Sequence, residues 1–263
     1  MADVGRETID VDGDAIAVLA RPGASPGIVW LGGYRSDMTG TKAEALDRWA
    51  AATGHACLRH DYSGHGASGG AFADGTISKW LRQSLVVFER FSTSPQILVG
   101  SSMGAWIALR MVQELRQAGE GDRVAGLALV APAPDFTVEL MEPALSEEHK
   151  RQLAERGYME EHSDYSPEPN IYTRALFEDG RNNRVMEGLI ETGCPVHILQ
   201  GMADPDVPYT HAEKLMRHLP MSDVTLSLIR DGDHRLSRPQ DIAMLISAVE
   251  GLVGLAKPSP AGR

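Results

Sequence analysis

The feature that most constrains how this chain can fold is a rhythm of short apolar runs, each followed by a helix-like stretch. GIVWLGG (27–33) precedes TKAEALDRWAAATG. HACLRHDYSGHG precedes TISKWLRQSLVVFERF, and PQILVGSS leads directly into MGAWIALRMVQELRQAG. RVAGLALVAPAP follows, and the rhythm resumes with PVHILQGMADPDVP (195–208), a helix around 210–218, VTLSLIRDGDH (224–234) and a final helix near 239–254. Runs that are apolar throughout, rather than alternating, belong to strands covered on both faces. Their alternation with helices predicts an α/β fold built on a mostly parallel sheet. The opening ETIDVDGDAIAVLARP reads as a hairpin turning at DGD.

Between Pro134 and Pro195 the rhythm stops. There DFTVELMEPALSEEHKRQLAERGYMEEHSDYSPEPNIY shows helix-like stretches and prolines but no strand signal. A gap of this length exceeds an ordinary loop, so residues 135–190 are expected to form a lid inserted into one domain spanning 1–263. The tail KPSPAGR reads as frayed.

Charge and cysteine usage narrow the function classes. With 25 basic against 36 acidic side chains the net charge is −11. That sign argues against nucleic-acid and anionic-membrane surfaces, which need clustered Lys and Arg. No stretch approaches the roughly 18 apolar residues of a membrane span. The start MADVGRETIDVDG has no apolar core of a secretory signal, and a cytoplasmic protein is expected. Cys57 and Cys194 sit beside apolar runs, so Cys194 is read as a buried structural thiol and no disulfide framework is expected.

The chemistry begins at ILVGSSMGAW (97–106), where two serines compete. Gly100, Ser102 and Gly104 match G-x-S-x-G at a strand-to-helix turn, the nucleophile elbow. Ser101 has no glycine on either side at that spacing and is read as structural. Alone, the motif is equally a helix cap. A nucleophilic serine also needs a base and an orienting acid, in the chain order Ser, Asp, His for this architecture. Asp204, just past a strand, and His234, just past the last strand, satisfy that order. Asp206 is the second choice of acid, otherwise an Asx-turn residue. Asp231 and Asp233 are read as stabilising the histidine loop.

The remaining histidines have plainer readings. His55, His60 and His197 are taken as satisfied sheet residues; His149, His162, His211 and His218 as solvated. HDYSGHG suggests ligands at His60, Asp61 and His65, but no strong zinc spacing exists, and neither metal nor cofactor is expected. Those glycines are read instead as a tight loop beside the site. Two backbone donors would stabilise an oxyanion: Met103, following the nucleophile, and Tyr34 after IVWLGG, with Gly33 as the alternative. Arg35, Ser36 and Asp37 would line the same loop.

GGYRSDMTGTKA, GHACLRHDYSGHGASGG, PQILVGSSMGAW, LQGMADPDVP and DGDHRLSRPQDI together resemble the serine α/β-hydrolases. The likeness is strongest to the branch containing a palmitoyl-protein thioesterase, also described as a mycophenolic acid acyl-glucuronide esterase. The resemblance implies an eight-stranded, mostly parallel sheet, with Ser102 as nucleophile, Asp204 as acid and His234 as base. It implies hydrolysis of a small-molecule acyl ester or thioester. A peptidase or perhydrolase on the same residues, or a binding protein that has lost turnover, is the rival reading.

For substrate contacts the candidates are Gly33, Arg35, Phe136 and Met141. Leu140, Leu145, Leu153, Tyr158 and Met159 join the last two, either roofing an acyl pocket or forming the core of the lid. Arg181 and Arg184 offer guanidinium groups to a carboxylate, or simply a solvated loop.

Overall fold

A computed structural model describes residues 4–162, 168–221 and 223–256. The segment KPSPAGR lies outside the described residues. The described chain forms an eight-stranded sheet in the order β1-β2-β4-β3-β5-β6-β9-β10. Its strands are β1 (Gly5–Val11), β2 (Asp14–Arg21), β3 (Ala24–Leu31), β4 (His55–His60), β5 (Gln96–Ser101), β6 (Val124–Val130), β9 (Val196–Gly201) and β10 (Val224–Ile229). Only β2 runs against the others: it is antiparallel to both β1 and β4, and every remaining pairing is parallel. The opening hairpin closes at Asp12 and Gly13, both at positive φ, with Val11 opposite Asp14. Such a turn matches the twist of its strands, and Asp-Gly suits it because both positions demand left-handed backbone.

Each parallel strand divides its apolar side chains between two cores. On β3, Ile28 and Trp30 face one side while Val29 and Leu31 face the other. On β5, Ile97 and Val99 are separated in the same way from Leu98. The first side is covered by α1 (Thr41–Thr53) and α7 (Pro239–Leu255), through Leu46, Ala50, Leu245, Val249 and Leu252. The second is covered by α2 (Ile77–Phe91), α3 (Met103–Gln117) and α6 (Tyr209–His218), through Trp80, Phe88, Trp106, Leu109 and Leu215. Each large apolar side chain fully buried this way stabilises the fold by roughly 1.5–3 kcal/mol. Strands sandwiched so cannot alternate with polar residues, which is why they read as unbroken apolar runs.

The insert between β6 and β9 differs from the sequence expectation in one respect. Besides α4 (Glu147–Arg156) and α5 (Arg174–Asn182), it contains two short strands, β7 (Tyr158–Glu161) and β8 (Asn170–Thr173). They pair antiparallel, Met159 opposite Tyr172, and both of those side chains are buried against the main core. Strands of four residues are too short for a period-2 pattern to stand out, and the inward pair becomes legible only against its tertiary neighbours. His211, expected in solvent, is also buried: it lies beside Ala212 and Leu215 on α6, and its Nε2 donates to Pro134 O at 2.8 Å. Cys194 is half-buried rather than fully enclosed, and burial pushes its thiol up to about 12.

Candidate active site

Parallel strands leave their carboxyl ends on one edge of the sheet, and that edge is where loops from different strands meet. Ser102 follows β5 there and immediately precedes α3, with φ 54° and ψ −118°. A non-glycine residue in such backbone costs roughly 1–3 kcal/mol and persists only where its surroundings enforce it. They do so sterically. A Cβ on Gly100 would come within 2.5 Å of Gly104 O, and one on Gly104 within 2.1 Å of Leu31 O. Only glycine lets strand and helix approach that closely. The turn is held further by Ser102 N donating to Val130 O at 2.9 Å. Ser101 is buried as the last residue of β5, opposite Val130, and Ser102 projects from the turn.

His234 Nε2 stands 3.1 Å from Ser102 Oγ, and His234 Nδ1 stands 2.8 Å from Asp204 Oδ2. An ionised carboxylate only accepts, so Nδ1 carries the proton and Nε2 is left to accept from the serine hydroxyl. The Asp204 side chain is wholly buried and its carboxylate receives three further donors. Gln200 Nε2 reaches Oδ2 at 3.1 Å, while the amides of Asp206 and Val207 reach Oδ1 at 2.9 and 2.8 Å. Asp206 itself is exposed. Gln200 also donates to Gly201 O and Val207 O, bracing the turn that carries Asp204. The Asp204 turn and the histidine loop are joined by Ala203 N donating to Gly232 O at 2.9 Å.

The histidine loop is closed on itself. Arg238 bridges Asp231 and Asp241, Leu236 N donates to Asp233 Oδ1 at 2.9 Å, and Lys42 Nζ donates to Arg235 O. Ligand atoms of Asp204, Asp206 and His234 fall within 4.8 Å of one another. The four donors already on the Asp204 carboxylate leave it no free lone pair for a cation. His60, Asp61 and His65 do not converge on a common point either. His60 Nε2 pairs with Ser84 Oγ, Asp61 accepts from Met38 and Ala67 amides, and His65 faces Arg35 N and Ser63 O.

The loop after β3 passes directly over the elbow. A Cβ on Gly33 would lie 3.2 Å from Ser101 O and 3.3 Å from Ser102 Cβ. Ser36 N donates to Gly33 O at 3.1 Å, forming a tight turn through Tyr34 and Arg35. Among the described residues the Tyr34 amide donates to no protein group. Met103 opens α3, where an amide has no intrahelical acceptor. Both amides are therefore available beside Ser102. The Tyr34 ring stacks on Tyr172 at 4.9 Å, meets Phe72 edge-on at 4.9 Å, and its hydroxyl donates to Ile171 O. Arg35 reaches the same insert, donating to Pro169 O and pairing with Glu168 at 3.2 Å.

Of the remaining candidates, Phe136 is buried edge-on to Trp106 at 5.6 Å and 6.3 Å from the Tyr34 ring. Met141 ends a π-helical turn, Thr137–Met141, and is partly buried against the main core. Met159 is part of that same core, so the apolar insert residues extend the domain's interior rather than making a separate one. A cavity of about 260 Å³ opens between α4 and α5, with Leu145, Leu153 and Phe177 along its apolar wall. Arg181 pairs with Glu142, and Arg184 with Glu139 and Glu187, so neither is an unpaired guanidinium in a loop. Gln200 is not singled out by the sequence, and His65 is considered there only as a metal ligand, not as an acceptor for the Arg35 amide. The signal that could have found Gln200 is a polar side chain at the carboxyl end of the otherwise largely apolar run VHILQG.

A family model described as the alpha/beta hydrolase family matches residues 18–245. The chain belongs to the alpha/beta hydrolase family. Within it, the human mitochondrial palmitoyl-protein thioesterase ABHD10 is 33% identical over 233 residues, which are 88% of this chain and 74% of that relative. A solved structure from Agrobacterium vitis S4, described as a hydrolase, is 58% identical and superposes with a TM-score of 0.92, covering 96% of this chain and 99% of that one. The mouse alpha/beta hydrolase domain-containing protein 10 is 28% identical with a TM-score of 0.85, covering 95% and 98%. The alpha/beta hydrolase fold expected from the motifs is the fold observed. No helix among the described residues is long and apolar enough to cross a membrane.

Proposed function

We propose that the chain is a serine hydrolase cleaving carboxylic esters or thioesters through an acyl-enzyme on Ser102. The observation that carries this reading is the line Ser102 Oγ–His234 Nε2–His234 Nδ1–Asp204 Oδ2, at 3.1 and 2.8 Å, on an elbow held in strained backbone. His234 takes the serine proton as Oγ attacks the acyl carbon. Asp204 holds the imidazole tautomer and stabilises its positive charge. The amides of Met103 and Tyr34 receive the oxyanion, with Gly33 keeping that loop against the nucleophile. A donor of this kind contributes about 3–4 kcal/mol of transition-state stabilisation. His234 then protonates the departing alcohol or thiol. It next activates water, which releases the acid and restores the hydroxyl.

The relatives named as palmitoyl-protein thioesterases support an acyl thioester as substrate. Phe136 and Met141 supply the apolar contacts for the acyl group in this reading. The insert 135–190 serves as its lid, and Arg35 ties the oxyanion loop to that lid. Free Cys57 and Cys194 fit a reducing compartment, the expected cytoplasm and the mitochondrion of the mammalian relatives alike.

The test is a chain-length series of nitrophenyl esters and acyl thioesters on wild type and Ser102→Ala. Loss of at least about 10⁴-fold in kcat/KM is expected for the variant. Full activity in Ser102→Ala, or no turnover of any member by wild type, overturns the reading. An optimum at long chains identifies an acyl thioesterase, and a preference for acetate identifies a general esterase.

A further inference from the structure

Two sequence motifs lie outside the serine, aspartate and histidine: YRSDM in the loop after β3, and LRHDYSGH along and beyond β4. In the fold they grip each other. Arg59 Nη1 donates to Met38 O at 2.9 Å, and Met38 N donates to Asp61 Oδ1 at 2.7 Å. The second Asp61 oxygen accepts from Ala67 N at 2.8 Å. Nearer the elbow, Arg35 N donates to His65 Nε2 at 3.2 Å, and His65 Nδ1 lies 3.2 Å from Ser63 O.

The last pair fixes a protonation state by geometry. A backbone amide can only donate, so Nε2 must be bare; a carbonyl can only accept, so Nδ1 must carry the hydrogen. His65 is the neutral Nδ1–H tautomer, 4% exposed, its ring between those of Phe72, Trp80 and Tyr62 at 5.0, 5.2 and 5.5 Å. The amide it receives belongs to a strained residue. Arg35 is third in the turn Gly33–Ser36, with φ 57°, the arrangement of a type II turn, where glycine is the usual occupant. Types I and II differ by a flip of the middle peptide, here Tyr34–Arg35. An arginine in that position favours the flip away from the observed form. The acceptor at His65 Nε2 offsets this preference. In either turn type the Gly33–Tyr34 peptide keeps its carbonyl on Ser36 N and its N–H directed the opposite way; the His65 acceptor fixes where that turn is seated against the loop after β4.

We propose that His65, as an uncharged acceptor for the Arg35 amide, is the positioning residue that holds the Gly33–Ser36 turn in its oxyanion-binding form. This rests on the reading of the Tyr34 amide as an oxyanion donor. The charged and titratable groups facing the ring are the Arg35 guanidinium and the Tyr62 phenol. Burial, with the nearby Arg35 charge, outweighs the Ser63 hydrogen bond and lowers His65 to about 4. The acceptor therefore persists at neutral pH.

The test compares His65→Leu, which removes the acceptor, with His65→Gln, whose amide oxygen restores one. For His65→Leu, kcat on a nitrophenyl ester is expected to fall about 10- to 100-fold with KM changed less than about threefold. Affinity for an aryl boronic acid, which forms a tetrahedral adduct on the serine, falls in step with kcat. His65→Gln is expected within about threefold of wild type. On the wild-type protein, ¹⁵N spectra at neutral pH are expected to show His65 protonated on Nδ1 alone. Unchanged kcat in His65→Leu, equal losses in both variants, or a proton on Nε2 overturns the proposal. The ¹⁵N result decides it if His65→Leu does not fold. Failure of the serine-hydrolase reading looks different: wild type would turn over no ester or thioester and leave Ser102 unlabelled by a fluorophosphonate.

Discussion

The carboxyl edge of the sheet and the insert that sits over it are built on opposite physical terms. At the edge, the positions of side chains are over-determined. Ser102 is held by glycines that admit no Cβ, and the Asp204 carboxylate is filled by four donors. In the insert, polar contacts are mostly exposed ion pairs, such as Lys150–Glu147 and Arg151–Glu148 on α4, a helix with no buried residue. The first region tolerates no substitution that alters shape or tautomer. The second is held by the buried faces of Met159, Tyr172, Leu176 and Phe177 and by the buried Asp135 carboxylate, which accepts the Val185 and Met186 amides, and its exposed ion pairs add little. Under the proposed function, chemistry that needs sub-ångström placement sits on the first, and adaptable contact with substrate is left to the second.

The sharpest way to break this comparison is at the acid. Asp204→Asn presents an amide N–H to His234 Nδ1 and favours the wrong tautomer. Its kcat/KM is expected to fall about 10³- to 10⁴-fold. Asp206→Asn, two residues on and exposed, is expected to stay within about threefold of wild type. Equal losses in the two would show that the buried carboxylate is not the special one.

Next in size is Gly104→Ala. Its Cβ would meet Leu31 O at 2.1 Å, so urea unfolding is expected to show a loss of about 3 kcal/mol or more. Ala substituted at Gly188, which has nothing within 4 Å, is the matched control in the insert.

A third effect belongs to pH. Ser84 Oγ gives its proton to Trp80 O, so it accepts from His60 Nε2, and His60 Nδ1 is buried with no partner. Burial lowers His60 from 6.5 to about 4. Between those values the unfolded chain binds a proton that the folded chain refuses. The stability is therefore complete above pH 6.5 and is lost as the pH falls toward 4, by about 3 kcal/mol from His60. Urea midpoints at pH 7 and 4.5 measure it, and His60→Gln should flatten the slope.

The smallest effect is expected in the insert. Arg181 is 54% exposed in its pair with Glu142, and Arg181→Ala should cost no more than about 0.5 kcal/mol in the same assay. A larger loss would mean that insert charges organise structure as the edge does.

What could be read from the sequence follows the same division. The doubly covered sheet and the elbow were legible because both follow from local rules. Strands buried on two faces must be apolar throughout, and a serine between close-approaching strand and helix needs glycines at 100 and 104. The order of Ser102, Asp204 and His234 was legible because each follows a strand, and strand ends share one edge. The β7–β8 pair was missed because its inward face is one residue per strand. His211 was missed because the polar stretch around it conceals which face of α6 meets Pro134.

The sequence by itself determined the layering, the elbow and the candidate nucleophile, acid and base, since these depend on residue type and short spacing. Only the tertiary structure decided which groups hold them: Gln200 on Asp204, Lys42 on the loop of His234, and His65 on the amide of Arg35. Those partners lie on separate elements, and a hydrogen bond between them depends on ångström distances that spacing along the chain does not encode.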